Sequence, residues 1–144
     1  MKFDRAVAVY ILNKDNKVLL LLHKKLCSWL PPGGHVEDNE LIHEAAIREV
    51  EEETGLEIEF IYNTKDINDK NDEKARILPH PILVQLEDLG DHYHEDFVYL
   101  ARAKCDEIIN LENHQIGWFS IEEAKKLDTF DNVKRHLDHI ETLI

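Results

Sequence analysis

The chain has 144 residues, 43% hydrophobic and 33% charged, with a formal net charge of −13. This length and composition suit one globular domain spanning 1–144. The charge repels nucleic-acid polymers and anionic membranes, so an anionic ligand is expected to be small and neutralised locally by a metal ion or a few basic groups.

"AVAVYIL" near the start is apolar but short, and "NKDNK" follows it where a signal peptide would carry small residues. It reads as a core strand rather than a targeting segment. No apolar run approaches membrane-spanning length. "RAVAVYIL" and "KVLLLLH" are two strands joined by a turn at "NKDN". "SWLPPGGHVEDN" reads as a Pro/Gly loop, with Pro31 and Pro32 stiffening its approach to a helix over residues 39–54. Asp38 or Asn39 is the expected cap, and Gly55 the stop. "LEIEFIYN" is a strand, and the polar run "TKDINDKNDEKA" a surface connection. "PILVQLE", "DFVYLARAK" and "IGWFS" are further strands. "SIEEAKKL" opens with a capping box from Ser120 to Glu123, and "NVKRHLDHIETLI" is an amphipathic helix. The order β-β-α-β-β-β-β-α-α implies a mixed α/β fold with helices packed on a sheet. Cys27 and Cys105 lie far apart without a CxxC pair, as expected of reduced thiols in a cytoplasmic protein.

The stretch "REVEEETGL", residues 48–56, poses a question of faces. With Leu41 at zero on a helical projection, Ala45, Ile42, Ala46 and Val50 fall between about 40° and 180°. Glu52, Glu49 and Glu53 fall at about 20°, 80° and 120°, in the same half. Thr54 falls in the opposite half, as do Glu44 and Glu51, where a solvated charge belongs. Carboxylates about 5 Å apart repel by roughly 3 kcal/mol per pair at an effective dielectric near 20. Inward glutamates therefore need either raised pKa values or a cation among them, and an oxygen-rich trio at i, i+3 and i+4 suits Mg²⁺ or Mn²⁺.

The stretch from Gly34 to Leu56, "GHVEDNELIHEAAIREVEEETGL", resembles the Nudix box of the MutT-like hydrolases. Its fixed positions are Gly34, Glu40, Arg48, Glu49, Val50, Glu52, Glu53, Gly55 and Leu56, and all match. The resemblance implies a Nudix-type α/β/α sandwich with a mixed sheet. It also implies metal-dependent hydrolysis of a nucleoside diphosphate linked to a moiety X. On that resemblance Glu52 and Glu53 are metal ligands, Glu49 is a ligand or base, and the Gly33 carbonyl completes the set. Arg48 orients a box glutamate, and Glu40 braces the loop onto the helix. Many relatives draw one more carboxylate from a loop upstream of a tryptophan; with Trp118 as landmark, Glu112 is the candidate, and Glu95 and Asp96 compete.

Substrate contacts lie outside the box. His23, Lys24 and Lys25 end the second strand within reach of a phosphate, against the alternative of surface solubility. Trp29 and Tyr93 are candidates to stack on a base, whereas Trp118 and Phe119 suit the core. His92 and His94 share one face of an extended segment and are candidates for contact with substrate or a metal-bound phosphate; a zinc site there lacks a third sequence-local ligand. Markers of the NADH, ADP-ribose and dinucleoside polyphosphate subfamilies are not matched. A MutT-like nucleoside triphosphate pyrophosphohydrolase remains by exclusion, beside a nucleotide-sugar hydrolase and a non-catalytic nucleotide sensor. The intact box glutamates favour turnover. A homodimer is compatible with this reading.

Overall fold

A computed structural model describes residues 2–61, 74–110 and 114–144. Most of the polar run 64–75, and Glu112, lie outside the described residues. The described strands are β1 Lys2–Leu12, β2 Val18–His23, β3 Ser28–Leu30, β4 Gly33–His35, β5 Ile58–Phe60, β6 Leu83–Asp88, β7 His92–Ala103 and β8 Ile116–Phe119. The helices are α1 Ile42–Thr54, α2 Ile121–Lys125 and α3 Asp131–Leu143.

Among the described residues the eight strands form one mixed sheet. Its centre is a long parallel pairing of β1 with β7, in register from Lys2 opposite His92 to Leu12 opposite Arg102. β2 and β4 flank β1 antiparallel, and β5 and β6 flank β7. Both faces of β1 are covered, which is why it reads as a continuous apolar run rather than an alternation. Val7, Val9 and Ile11 pack with Ala45, Ala46 and Val50 of α1. Tyr10 and Leu12 pack with Val133, Leu137 and Ile140 of α3. Each fully buried aliphatic side chain in these layers contributes about 1.5–3 kcal/mol. The result is helix–sheet–helix layering, as expected for an α/β sandwich.

Three local expectations change. The stretch 28–39 is not all loop, because Ser28–Leu30 pairs with β2 and Gly33–His35 pairs with β1. α1 begins at Ile42, and neither Asp38 nor Asn39 caps it. Instead Glu44 reaches back, its Oε1 accepting from the Leu41 amide at 2.9 Å. Gly55 does end the helix, in the left-handed region at φ 69°, with its amide donating to the Glu51 carbonyl. The NKDN turn also forms, with Asn13 Oδ1 accepting from the amides of Asp15 and Lys17, and Ser120 and Glu123 form their capping box.

Candidate active site

Arg48 organises the helix-borne half of the site. Its Nε and Nη2 donate to the two oxygens of Glu40, at 2.8 and 3.1 Å. Nη1 donates to Glu49 Oε1 at 2.9 Å and to Glu52 Oε2 at 3.4 Å, and Nη2 also donates to the His35 carbonyl at 2.9 Å. The planar guanidinium thereby ties the loop before α1, the strand β4 and two turns of the helix together. These bonds, with Glu40 first, push the arginine pKa up and hold the Glu40 carboxyl below its usual value.

The three glutamates assigned to one half of the helix divide in the structure. The Glu49 side chain is 14% exposed, whereas that of Glu52 is 54% exposed. The burial stripe is rotated from the projected one: Thr54, placed outside it, is fully buried, with Oγ1 donating to the Val50 carbonyl at 2.7 Å. That rotation leaves Glu52 at the solvent edge, Glu53 partly buried and Glu51 exposed. Burial pushes the Glu49 pKa up against the opposing pull of Arg48, and Glu53 hydrogen-bonds to Glu49.

Glycines make room for this packing. A Cβ on Gly34 would stand 2.4 Å from Glu49 Oε1, so the Glu49 carboxylate occupies the space a side chain would take. A Cβ on Gly33 would stand 2.2 Å from the Val7 carbonyl oxygen. Gly33, Gly34 and Glu53 are among the residues lining a cavity of about 300 Å³. Leu21, Leu26, Leu30 and Phe130 supply its apolar wall.

The polar wall joins Asp96, already a candidate carboxylate, to Tyr10, Gln85 and His136, which the sequence did not single out. The Tyr10 hydroxyl lies 2.8 Å from His136 Nδ1, and His136 Nε2 lies 3.0 Å from Gln85 Oε1. Gln85 Nε2 donates to Asp96 Oδ2 at 3.3 Å. The amide oxygen can only accept, so Nε2 carries the histidine proton and Tyr10 donates to Nδ1. The chain Tyr10–His136–Gln85–Asp96 is thus directional. Burial lowers the His136 pKa, consistent with a neutral ring, and pushes Tyr10 up. Burial, then the Asp96 charge, raises Glu87, which also lines the cavity. In the structure β6 is inverted, with its polar residues Gln85 and Glu87 less exposed than Val84 and Leu86. An inverted strand of this kind points its polar side chains at something other than water.

The other candidates separate. His23 and His94 line the cavity, as do His35 and Asp96, whereas Glu95 is not among the lining residues. Lys24 and Lys25 are exposed, and Lys24 does not line the cavity. Trp29 packs edge-on against Phe119 with ring centroids 5.2 Å apart. Tyr93 stacks on Phe3. His92 turns to Asp91, its Nδ1 donating to Oδ1 at 2.6 Å, and is not among the lining residues.

The family model described as NUDIX domain matches residues 2–139. The chain belongs to the NUDIX family. A solved NUDIX-family hydrolase from Clostridium perfringens is 35% identical, with a TM-score of 0.81, covering 97% of this chain and 99% of that one. The rat asymmetrical bis(5'-nucleosyl)-tetraphosphatase is 28% identical over 109 residues, 76% of this chain and 67% of the rat protein. An ADP-ribose pyrophosphatase of Methanocaldococcus jannaschii is 54% identical over 56 residues, 35% of this chain and 32% of that protein. The chain spans between 21% and 37% of the length of several curated relatives it matches. These relationships support a NUDIX hydrolase of phosphorus anhydrides, a class that generally uses divalent metals. Among the described residues no helix is long and apolar enough to cross a membrane.

The box residues fit such an ion. Their donors are hard carboxylate oxygens, Gly34 leaves the space that Glu49 fills, and Glu53 is hydrogen-bonded to Glu49 beside it.

Proposed function

We propose that this NUDIX enzyme is a Mg²⁺- or Mn²⁺-dependent pyrophosphohydrolase of nucleoside triphosphates, acting in the cytoplasm. The observation that carries this reading is the mixed lining of one cavity, which combines Glu53 and the Gly33–Gly34 backbone with the apolar Leu21, Leu26 and Phe130. The former group suits the phosphates and the apolar side chains suit a single base. Glu52, Glu53 and the Gly33 carbonyl would hold the ion, with Glu49 beside them as a further ligand or as the base. When bound, it neutralises phosphate charge and acidifies the attacking water. Arg48 fixes Glu49 and Glu52 in place, so the donors are set before substrate arrives. Glu49, with its pKa raised by burial, is the group suited to take the proton from water. Gln85, Asp96 and Asn132 offer polar atoms to the base from the cavity wall.

The long alignment with the rat tetraphosphatase favours a second substrate, a dinucleoside tetraphosphate. A panel of nucleoside triphosphates, dinucleoside tetraphosphates, nucleotide sugars and ADP-ribose, each with Mg²⁺ or Mn²⁺, separates the readings. Release of a nucleoside monophosphate and pyrophosphate from a triphosphate supports the first. A preference for the dinucleoside substrate replaces it with the second. Binding without product from any of them refutes turnover.

A further inference from the structure

The parallel register of β1 and β7 assembles a cluster that neither strand holds alone. His92 and His94, two residues apart on β7, share a face of the sheet, and β1 places Asp4 directly opposite His94. One ligating atom from each of Asp4, His92 and His94 lies within 4.8 Å of the others. His35, on the neighbouring β4, brings its Nε2 to 3.0 Å from His94 Nε2. That spacing is close to the roughly 3.3 Å between donors in a tetrahedral site with Zn–N bonds of about 2.0 Å. All of these side chains are partly exposed or at the surface, which gives an ion a way in.

The surrounding carboxylates are arranged as a metal-bound histidine needs them. Asp91 accepts from His92 Nδ1 at 2.6 Å, which in the neutral ring leaves the Nε2 lone pair free. A carboxylate holding the far nitrogen is the usual support for a ligating histidine. Glu87 Oε1 lies 3.9 Å from His94 Nδ1, on the opposite side of that ring from His35.

We propose that Asp4, His92 and His94, with His35 beside them, form a second metal site, selective for zinc-class transition ions. It is chemically distinct from the all-oxygen glutamate site on α1. Imidazole donors favour Zn²⁺, Co²⁺ or Ni²⁺ over Mg²⁺, which prefers oxygen and sheds water reluctantly. Because His35 and His94 also line the cavity, an ion held here adds positive charge at its edge, facing an anionic substrate. This inference does not depend on which anhydride the enzyme hydrolyses.

The test is calorimetric titration of Zn²⁺ into the full chain in millimolar Mg²⁺, repeated for D4N, H92Q and E53Q, with Co²⁺ absorption as a second readout. The wild type binds a single tight equivalent of Zn²⁺, and its Co²⁺ complex shows the visible bands of a four-coordinate, nitrogen-ligated ion. D4N and H92Q each weaken binding by about tenfold or more, and E53Q leaves it unchanged. Asp4→Asn preserves shape and His92→Gln is at the surface, so circular dichroism of either folded variant keeps the test decisive. Wild-type affinity in both D4N and H92Q overturns the site, as does loss of Zn²⁺ binding in E53Q.

Discussion

Gly34→Ala separates the architecture of the site from the stability of the fold. The new Cβ would meet Glu49 Oε1 at 2.4 Å, whereas ordinary contact begins near 3.4 Å. The carboxylate must therefore retreat by about 1 Å, and it can, because it ends a flexible side chain. Retreat breaks the 2.9 Å bond from Arg48 Nη1. A charge-assisted bond of this kind is worth about 1.5–3 kcal/mol, and the freed carboxylate regains some solvation, so a loss of about 1.5–2 kcal/mol is expected. At about 2–4 °C per kcal/mol, the melting temperature falls by roughly 3–8 °C. Activity suffers more, since a misplacement of about 1 Å in a catalytic group costs on the order of 100-fold. Gly33→Ala is the contrasting variant. Its Cβ meets the Val7 carbonyl oxygen at 2.2 Å, inside the β1–β4 ladder, where no side chain can give way. It should cost more than about 3 kcal/mol and fold poorly. Scanning calorimetry and kcat/KM on the preferred anhydride measure both quantities. A Gly34→Ala enzyme within twofold of wild-type kcat/KM, or a Gly33→Ala chain as stable as wild type, refutes the reasoning.

Glu53→Gln should lower kcat by more than about 100-fold with the fold intact, and Glu51→Gln, on the exposed face, should be nearly silent; equal losses in both would end the division of the helix into faces. Mg²⁺ at a hundred times its Kd should add about 2.7 kcal/mol of stability, roughly 5–10 °C, and a combined E49Q/E53Q variant should lose that shift. Thermal scans across Mg²⁺ concentration decide it. Burial lowers the His136 pKa below its ordinary 6.5, so the unfolded chain takes up a proton below that pH that the folded chain refuses. The contribution is full above pH 6.5 and is lost as pH falls toward the folded value. Denaturant titrations from pH 5 to 8 should show a shallower acid-side loss in His136→Gln, and identical slopes would refute the assignment. Glu49 and Glu87, with raised values, act in the opposite sense as pH rises through the carboxylate range, so the comparison is made between variants rather than on wild type alone.

What could be read in advance follows from how each feature is encoded. The box glutamates, Arg48 and the Gly55 stop are local in sequence, and a helix converts their spacing into geometry directly. The strands of the central sheet were legible because their side chains are apolar on both faces. The edges failed where tertiary pairing overrode composition: Gly33–His35 looks like loop, yet β1 makes it a strand. Glu52 failed for a subtler reason. A projection centred on Leu41 and Ala45 ignores Thr54, whose hydroxyl satisfies itself on the Val50 carbonyl and so can be buried like an alanine. Including it turns the stripe and moves Glu52 to its edge. The polar chain from Tyr10 to Asp96 was hidden altogether, because its members lie on β1, α3, β6 and β7, up to 126 positions apart. A strand that turns Gln85 and Glu87 inward while Val84 and Leu86 face out cannot be explained by burial of apolar area. Both polar side chains line the cavity, so the inversion of β6 forms part of its wall.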